Sequence, residues 1–260
     1  MAVPDTADGR NEVLRITNLS KSYGGLKALD SVSFDVERGE VIALVGDNGA
    51  GKSTLVKALS GAQPPDNGQI EVNGRTVQLR TPRDADAAGI GCVHQGLGLV
   101  DTLNVPENVF LGRELQIKRF GFIPQPDHAA MRARTIELLE RFNVQLPTLN
   151  DPVSKLSGGQ RQTVAISRLL LQEMSLVIMD EPMAALGVEE GSRVLDLVTK
   201  MRDEGISILV ISHNLEHVFQ IADRIVVLKN GRLVDVVTTA DTTRDAVVKM
   251  ITFGSLEGAE

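Results

Sequence analysis

The feature that most constrains this chain is an apolar run, a glycine-rich loop and a helical pattern that follow one another over residues 41–61. The run Val41–Val45 suits a strand buried on both faces, and it leads directly into the loop. The loop has the spacing G-x-x-x-x-G-K-[ST], and apolar residues at helical spacing continue from it to Gly61. Strand, loop and helix in this order predict an α/β fold with a mostly parallel sheet.

A strand that feeds such a loop and then a helix aims several backbone N–H groups, and the positive end of the helix dipole, at one point. This arrangement predicts a nucleotide triphosphate site, in which Lys52 reaches the β- and γ-phosphates and the Ser53 hydroxyl binds Mg²⁺. The alternative is an ordinary glycine-rich turn with a chance Lys-Ser pair, which leaves the flanking strand and helix unexplained. The residues of this phosphate loop are Gly46, Asp47, Asn48, Gly49, Ala50, Gly51, Lys52, Ser53 and Thr54.

Two further apolar runs end in side chains that suit the same chemistry. Residues 175–181 predict a strand that ends in Asp180 and Glu181, and residues 206–211 predict one that leads to His213. Because ligands bind at the carboxyl ends of parallel strands, these groups are expected to converge on the phosphates. Asp180 is expected to hold Mg²⁺, Glu181 to accept a hydrogen bond from the attacking water, and His213 to donate to the γ-phosphate or that water. Taken singly, the acidic pair equally suits a solvated turn, and the histidine a satisfied polar residue.

The segment Leu156-Ser157-Gly158-Gly159-Gln160 predicts the start of a helix. Ser157 and Gln160 stand at the N-cap and the third helical position of a capping box. A helix start alone explains these two residues but not the two glycines in the first turn, which lower helix propensity. Their missing side chains are expected to expose the helix amides to a second anion.

Composition and charge narrow the class of function. With 260 residues, 42% hydrophobic and 23% charged, the chain can form one large domain or a main domain with a smaller lobe. Its net charge is −7 and no basic block occurs, so a general nucleic-acid-binding surface is not supported. Cys92 is the only cysteine, which favours a reducing compartment for the protein. The side chain itself is expected to be a small buried apolar group. The polar N-terminal segment and the lack of a long apolar run predict no secretion signal or membrane span.

Antiparallel elements are expected at both ends of the core. The alternation over residues 13–40 predicts short strands on a half-exposed sheet. The pairs Asn73-Gly74 and Asn230-Gly231 lie between alternating runs, and each predicts a two-residue hairpin.

A helical subdomain is expected over residues 96–156, where prolines recur and residues 128–142 form a helical pattern. Its expected apolar stripe is Ile136, Leu138, Leu139 and Phe142. Residues 13–254 are expected to form a single domain, with flexible ends at 1–12 and 255–260.

The ordered set of motifs resembles the ATP-binding cassette proteins, the nucleotide-hydrolysing subunits of ABC transporters, from about Val13 to Gly254. The resemblance implies an ATPase that works as a head-to-tail dimer, in which the segment Leu156–Gln160 of one copy caps the ATP held by the other. It also implies that Tyr23 stacks on adenine, and that Gln95 contacts Mg²⁺ and the attacking water. Without the family, Tyr23 equally suits a core position.

Within the family, Gly91–Gln95, Asn104–Gly112 and Ala184–Val188 resemble the branch that powers import of ribose-, xylose- and fructose-type monosaccharides. Many members of that branch carry two cassettes, so a single cassette implies a homodimer with two equivalent sites. The resemblance implies that this homodimer docks on the cytoplasmic face of a separate permease, which receives its cargo from a substrate-binding protein. Gly187, where most cassettes have aspartate, and Met183, where a small hydroxyl residue is usual, depart from the family pattern.

Two other functions remain open from the sequence. One is a soluble cassette that acts as a switch in translation or DNA repair, although such proteins typically carry paired cassettes and basic surfaces. The other is the cassette of an amino-acid importer or an exporter. A sugar-binding protein and a permease encoded beside this chain would decide between these and sugar import.

Overall fold

The computed structural model of the chain describes residues 11–119, 122–172 and 174–255. The strands are β1 (Glu12–Tyr23), β2 (Leu26–Glu37), β3 (Val41–Val45), β4 (Asn67–Val72), β5 (Arg75–Val77), β6 (Ile90–Val93), β7 (Gln116–Arg119), β8 (Ile123–Pro126), β9 (Leu176–Asp180), β10 (Ser207–Ile211), β11 (Arg224–Lys229) and β12 (Arg232–Thr238). The helices are α1 (Lys52–Leu59), α2 (Pro82–Ala87), α3 (Val105–Val109), α4 (His128–Arg141), α5 (Gly158–Leu170), α6 (Val188–Asp203), α7 (Leu215–Ile221) and α8 (Arg244–Phe253). No helix in these ranges is long and apolar enough to cross a membrane.

The central sheet has the order β12-β11-β3-β10-β9-β6. Its strands β11, β3, β10 and β9 are parallel neighbours, and β12 adds an antiparallel edge. Every residue of β3 and β10 is buried, because apolar side chains cover both faces of the sheet. Along β3, Ile42 and Leu44 pack in one core with α1, whereas Ala43 and Val45 pack in a second core with α7 and α8. The predicted parallel sheet is therefore confirmed.

A second sheet is antiparallel, in the order β2-β1-β4-β5. Its strands β1 and β2 are each 12 residues long, so the prediction of short strands was wrong. Their pairing shifts register several times, and Asn18 and Ser31 have positive φ. Register shifts of this kind are β-bulges, which let a long strand bend without ending. Each long strand therefore occupies a stretch in which short strands were predicted.

The two predicted Asn-Gly hairpins are confirmed. Val72 pairs with Arg75 and Lys229 pairs with Arg232, which leaves two-residue turns in both cases. The turn residues have φ values of 50° and 73° in one hairpin and 48° and 78° in the other, as a type I′ turn requires.

The described residues fall into two compact units. The first contains residues 11–92, 174–181 and 201–255, and the second contains 93–119, 122–172 and 182–200. In the second unit α3 packs on α4 and α5. It also contains the two-stranded sheet β7-β8, which the helical reading of this segment did not predict.

Helix α4 begins where the sequence predicted, and three of the four residues of the predicted apolar stripe are buried. Met131, Thr135, Leu138 and Leu139 are buried on it, followed by Phe142, whereas Ile136 is only half-buried. Steps of four, three and four residues from Met131 reach residues 135, 138 and 142, which share one face of the helix. Residue 136 lies beside that face.

Cys92 in β6 is partly buried, whereas the sequence predicted a buried side chain. Burial, with a smaller contribution from the Asp180 carboxylate, raises the pKa of its thiol to about 12. The thiol is therefore protonated and unreactive at neutral pH.

Candidate functional site

The phosphate loop leaves β3 and enters α1 through three glycines with positive φ. Gly46, Gly49 and Gly51 have φ values of 151°, 82° and 105°. Gly51 is the N-cap of α1, and no side chain caps that helix end. The amides of the first turn of α1 and its dipole are thus directed at a point beside the loop, as a phosphate site requires.

On one side, the backbone of the loop packs closely against other backbone segments of the first unit, and this packing is called the clamp. A Cβ on Gly46 would lie 2.3 Å from the carbonyl oxygen of Leu228, and one on Gly51 would lie 2.5 Å from that of Ala28. Gly231 in the β11–β12 turn makes a similar approach, with a would-be Cβ 2.9 Å from the Ala28 oxygen. These three glycines are therefore required by close backbone packing. By contrast, a Cβ on Gly49 would meet nothing within 4 Å, so this side of the loop is open.

The side chain of Lys52 lies along the loop. Its Nζ donates hydrogen bonds to the carbonyl oxygens of Gly46 (2.6 Å) and Asp47 (2.9 Å). Burial lowers the pKa of Lys52 below its ordinary value of 10.5, and the carboxylates of Glu181, Asp47 and Asp180 partly offset that shift. The structure thus brings the ammonium group of the loop and the acidic pair at the end of β9 into one electrostatic environment.

The predicted pair Glu181 and His213 is in direct contact. The distance between His213 Nδ1 and Glu181 Oε1 is 2.8 Å, and the side chain of His213 is 74% exposed whereas that of Glu181 is 19% exposed. Glu181 has a φ of 52°, and its amide donates a hydrogen bond to the carbonyl oxygen of Ile211. Backbone strain of this kind, roughly 1–3 kcal/mol, is typical of functional sites. The sequence placed both residues at strand ends but gave no sign of this hydrogen bond.

Asp180 is the last residue of β9 and pairs in register with Ile211 of β10. It therefore lies one residue from Glu181 and at the same edge of the sheet as the loop after β3. Among the described residues, no cluster of three or more His, Cys, Asp or Glu side chains is arranged to hold a metal ion. A cation at this edge would have Asp180, the Ser53 hydroxyl and phosphate oxygens as its available ligands.

Tyr23 ends β1, where it pairs with Leu26 across the turn. Tyr23 as a whole residue is 38% exposed, and Leu26 beside it is 72% exposed. The Tyr23 hydroxyl donates a hydrogen bond to Oε1 of Gln63 (2.7 Å), a partner that nothing in the sequence indicated. An exposed ring held by its hydroxyl offers an aromatic face to a planar ligand.

The remaining predicted site residues belong to the second unit. Gln95 lies in an exposed turn after β6. Ser157 caps α5 in the predicted capping box: the Ser157 amide donates to Gln160 Oε1, and the Gln160 amide donates to Ser157 Oγ. Leu156 is buried beside the cap.

Three comparisons with known proteins agree. The model of the family described as ABC transporter matches residues 29–184, which is more than half of the chain. The chain is 43% identical over 245 residues to the fructose import ATP-binding protein FrcA of Rhizobium meliloti, covering 92% of this chain and 94% of that protein. It is 38% identical to the xylose/arabinose import ATP-binding protein XylG of Sulfolobus acidocaldarius, with coverages of 93% and 94%. It is also 41% identical to the ribose import ATP-binding protein RbsA 3 of Rhizobium meliloti, but spans only 46% of that chain.

Solved structures point to the same family. A nucleotide-free ATP-binding cassette from an ABC transporter superposes with a TM-score of 0.76 at 29% identity, covering 87% of this chain and 91% of that one. An ATP-binding cassette in its ADP conformation gives a TM-score of 0.77 at 26% identity, with coverages of 93% and 95%. Together with the phosphate loop, the acidic strand end and the capped helix α5, these matches confirm the sequence-based prediction: the chain belongs to the ABC transporter family, as one of its ATP-binding cassette ATPases.

Proposed function

We propose that this ATPase is the energy-supplying subunit of an importer for a monosaccharide. The observation that carries the proposal is the arrangement of Lys52, Asp180, Glu181 and His213 around the uncapped start of α1. The choice of sugar as cargo is supported by the relatives, whose names specify fructose, xylose/arabinose and ribose import.

The residues present fit a nucleotide with Mg²⁺. The start of α1 has no side-chain cap, the loop is open at Gly49, and a lysine lies along it. The donor set for a cation is hard oxygen, from the Ser53 hydroxyl and the Asp180 carboxylate, with Gln95 as the further ligand that we propose. Bound there, Mg²⁺ would neutralise charge on the β- and γ-phosphates.

In the proposed reaction, water attacks the γ-phosphorus in line with the bond to the leaving ADP. Lys52 leaves the carbonyl oxygens of its own loop to contact the β- and γ-phosphates. Glu181 orients the water by accepting its hydrogen bond, and Gln95 assists. His213, which is 74% exposed and hydrogen-bonded to Glu181, swings to the γ-phosphate. The hydrogen bond between His213 and Glu181 supports this proposal, because it keeps the two side chains beside each other.

The catalytic unit that we propose is a homodimer. The two relatives with 94% of their length covered are single cassettes of the same size as this chain. A dimeric ATP-binding cassette bound to ADP and Pi, with a TM-score of 0.71 and 25% identity, is among the similar structures. In this dimer Ser157, Gly158 and Gly159 of each copy face the nucleotide held by the other, and Tyr23 stacks on adenine.

The dimer would act peripherally, on the cytoplasmic side of a permease that receives sugar from a substrate-binding protein. ATP-driven closure and release of the dimer would move the permease between its states. A net charge of −7 and the absence of a basic block in the sequence favour this function over a nucleic-acid switch.

The test is ATP hydrolysis by the purified chain and by Glu181→Gln, with and without Mg²⁺, together with the mass of each protein in ATP. We expect Mg²⁺-dependent hydrolysis by the wild type, and an inactive Glu181→Gln variant trapped as an ATP-bound dimer. The matched control is Glu189→Gln, because this exposed glutamate forms an ion pair with Arg193 on its own helix and should leave hydrolysis unchanged. Hydrolysis that survives Glu181→Gln would remove Glu181 from the mechanism, and a monomeric mass in ATP would contradict the dimer.

The cargo is tested separately. If a permease and a sugar-binding protein are found encoded beside this chain, co-expression of the three should give ATP-dependent uptake of one monosaccharide into vesicles. Uptake of an amino acid, or export, would support the alternative transporter classes.

A further inference from the structure

The first turn of α5 lies against the first turn of α6 within the second unit. A Cβ built on Gly159 would lie 2.8 Å from Cβ, 3.2 Å from Cγ and 3.4 Å from Cα of Glu190. Carbon atoms that are not bonded do not approach to 2.8 Å in a packed interior, so α5 reaches this position only because residue 159 has no side chain.

The neighbouring glycine is in a different situation. A Cβ on Gly158 would lie 3.1 Å from Cδ2 of Leu186, which is the mobile end of a flexible side chain. Its next neighbour is Oε2 of Glu190 at 3.9 Å, an ordinary contact. A small shift of Leu186 would therefore accommodate a side chain at 158, whereas no rotamer change moves the Cβ of Glu190 away from 159.

We infer that Gly159 is a positioning residue that works through Glu190. Its lack of a side chain lets α5 seat against α6, and this contact sets the position of the α5 N-terminus and its amides. The inference rests on the proposed function, because it is in the ATP-bound dimer that this N-terminus would meet the nucleotide of the partner copy. The two adjacent glycines therefore differ in why glycine is needed. Packing within the chain requires glycine at position 159 but not at position 158.

The contact predicts a specific rescue. Gly159→Ala should displace the start of α5, because the new methyl group overlaps the Cβ of Glu190. Adding Glu190→Gly removes both Cβ and Cγ and leaves Cα at 3.4 Å, an ordinary contact. Glu190→Ala is the matched control, because it removes the carboxylate and Cγ but keeps the offending Cβ. The two rescue variants thus differ by one methyl group.

The experiment uses the full chain carrying Glu181→Gln, so that ATP-bound dimers accumulate and can be measured by sedimentation. We expect Gly159→Ala to weaken ATP-dependent dimerisation roughly 10- to 100-fold, because overpacking a contact by one methyl group has a free-energy cost that corresponds to a factor of this size. Binding of ATP to the monomer should not change, because the phosphate loop lies in the other unit. Adding Glu190→Gly should restore dimerisation, and adding Glu190→Ala should not. The single variants Glu190→Gly and Glu190→Ala serve as controls, because each shows how its change in α6 affects dimerisation by itself.

Three results would overturn the inference: undisturbed dimerisation in Gly159→Ala, equal rescue by Glu190→Ala, or no rescue by Glu190→Gly. Failure of the parent Glu181→Gln chain to dimerise in ATP would instead contradict the proposed function. In that event the thermal unfolding temperature gives the same comparison, since Gly159→Ala should lower it and only Glu190→Gly should restore it.

Discussion

Replacing Gly46 by alanine tests whether backbone packing shapes the phosphate loop. The new Cβ would lie 2.3 Å from the carbonyl oxygen of Leu228 and 3.0 Å from the Cβ of Ala50. The oxygen cannot retreat cheaply, because β11 is hydrogen-bonded beside β3, with Val227 opposite Val45. Either the loop or the edge of the sheet must therefore move.

The matched control is Gly49→Ala in the same loop. Both positions have positive φ, so alanine brings backbone strain of roughly 1–3 kcal/mol to each. At Gly49 nothing lies within 4 Å of the new methyl group, and no further cost arises. At Gly46 overpacking adds about 1–3 kcal/mol. We therefore expect Gly46→Ala to destabilise the chain by about 2–6 kcal/mol and Gly49→Ala by about 1–3 kcal/mol.

The assay is urea unfolding followed by circular dichroism, with the slope of the transition compared so that a changed midpoint reports stability. Equal midpoints for the two variants would refute the packing argument, because the strain common to both would then account for the whole effect. A larger loss in Gly49→Ala would show that the open side of the loop is in fact filled.

Three further predictions concern single side chains. The raised pKa of Cys92, about 12 against an ordinary 9.0, lowers its thiolate fraction at pH 8. Its reaction with a disulfide reagent should therefore be about a thousandfold slower than in urea, and a free-thiol rate in the native chain would contradict this. Because burial lowers the pKa of Lys52, its charge is lost as pH rises through a value below 10.5. ATP affinity, measured by fluorescence titration, should fall there, whereas Lys52→Arg should give a flat profile; a wild-type affinity that stays constant up to pH 10.5 would contradict the shift. Asn108 is fully buried and its side chain bonds the amide and carbonyl of Val100, so Asn108→Leu should lower the free energy of unfolding by about 1–3 kcal/mol; an unchanged urea midpoint would show that these bonds contribute nothing.

The sequence predicted the elements whose signals are local. The phosphate loop, the Asn-Gly turns and the Ser157–Gln160 capping box each depend on residues within a few positions of one another, and each is confirmed in the structure. The buried strands β3 and β10 were predicted equally clearly, because a short apolar run bounded by polar residues is typical of a buried strand.

What the sequence did not predict depends on residues far apart in the chain. The bond between Glu181 and His213 joins two strand ends 32 positions apart, and the contact of Gly159 with Glu190 joins two helices. The bulges that lengthen β1 and β2 follow from the pairing of whole strands. Sheet β7-β8 was missed because its segment was predicted to belong to a helical subdomain, although its prolines are tolerated at the edge of a small sheet.

The clamp behind the phosphate loop also bears on the order in which the site forms during synthesis. Gly231 lies against Ala28, and its amide donates to the carbonyl oxygen of Ala50, so the loop at residues 46–54 is supported by a turn that is translated much later. A nascent chain lacks this brace until residue 231 has been made and has left the ribosome. We therefore expect nucleotide to stabilise nascent chains that already include residue 231, and to stabilise shorter intermediates little.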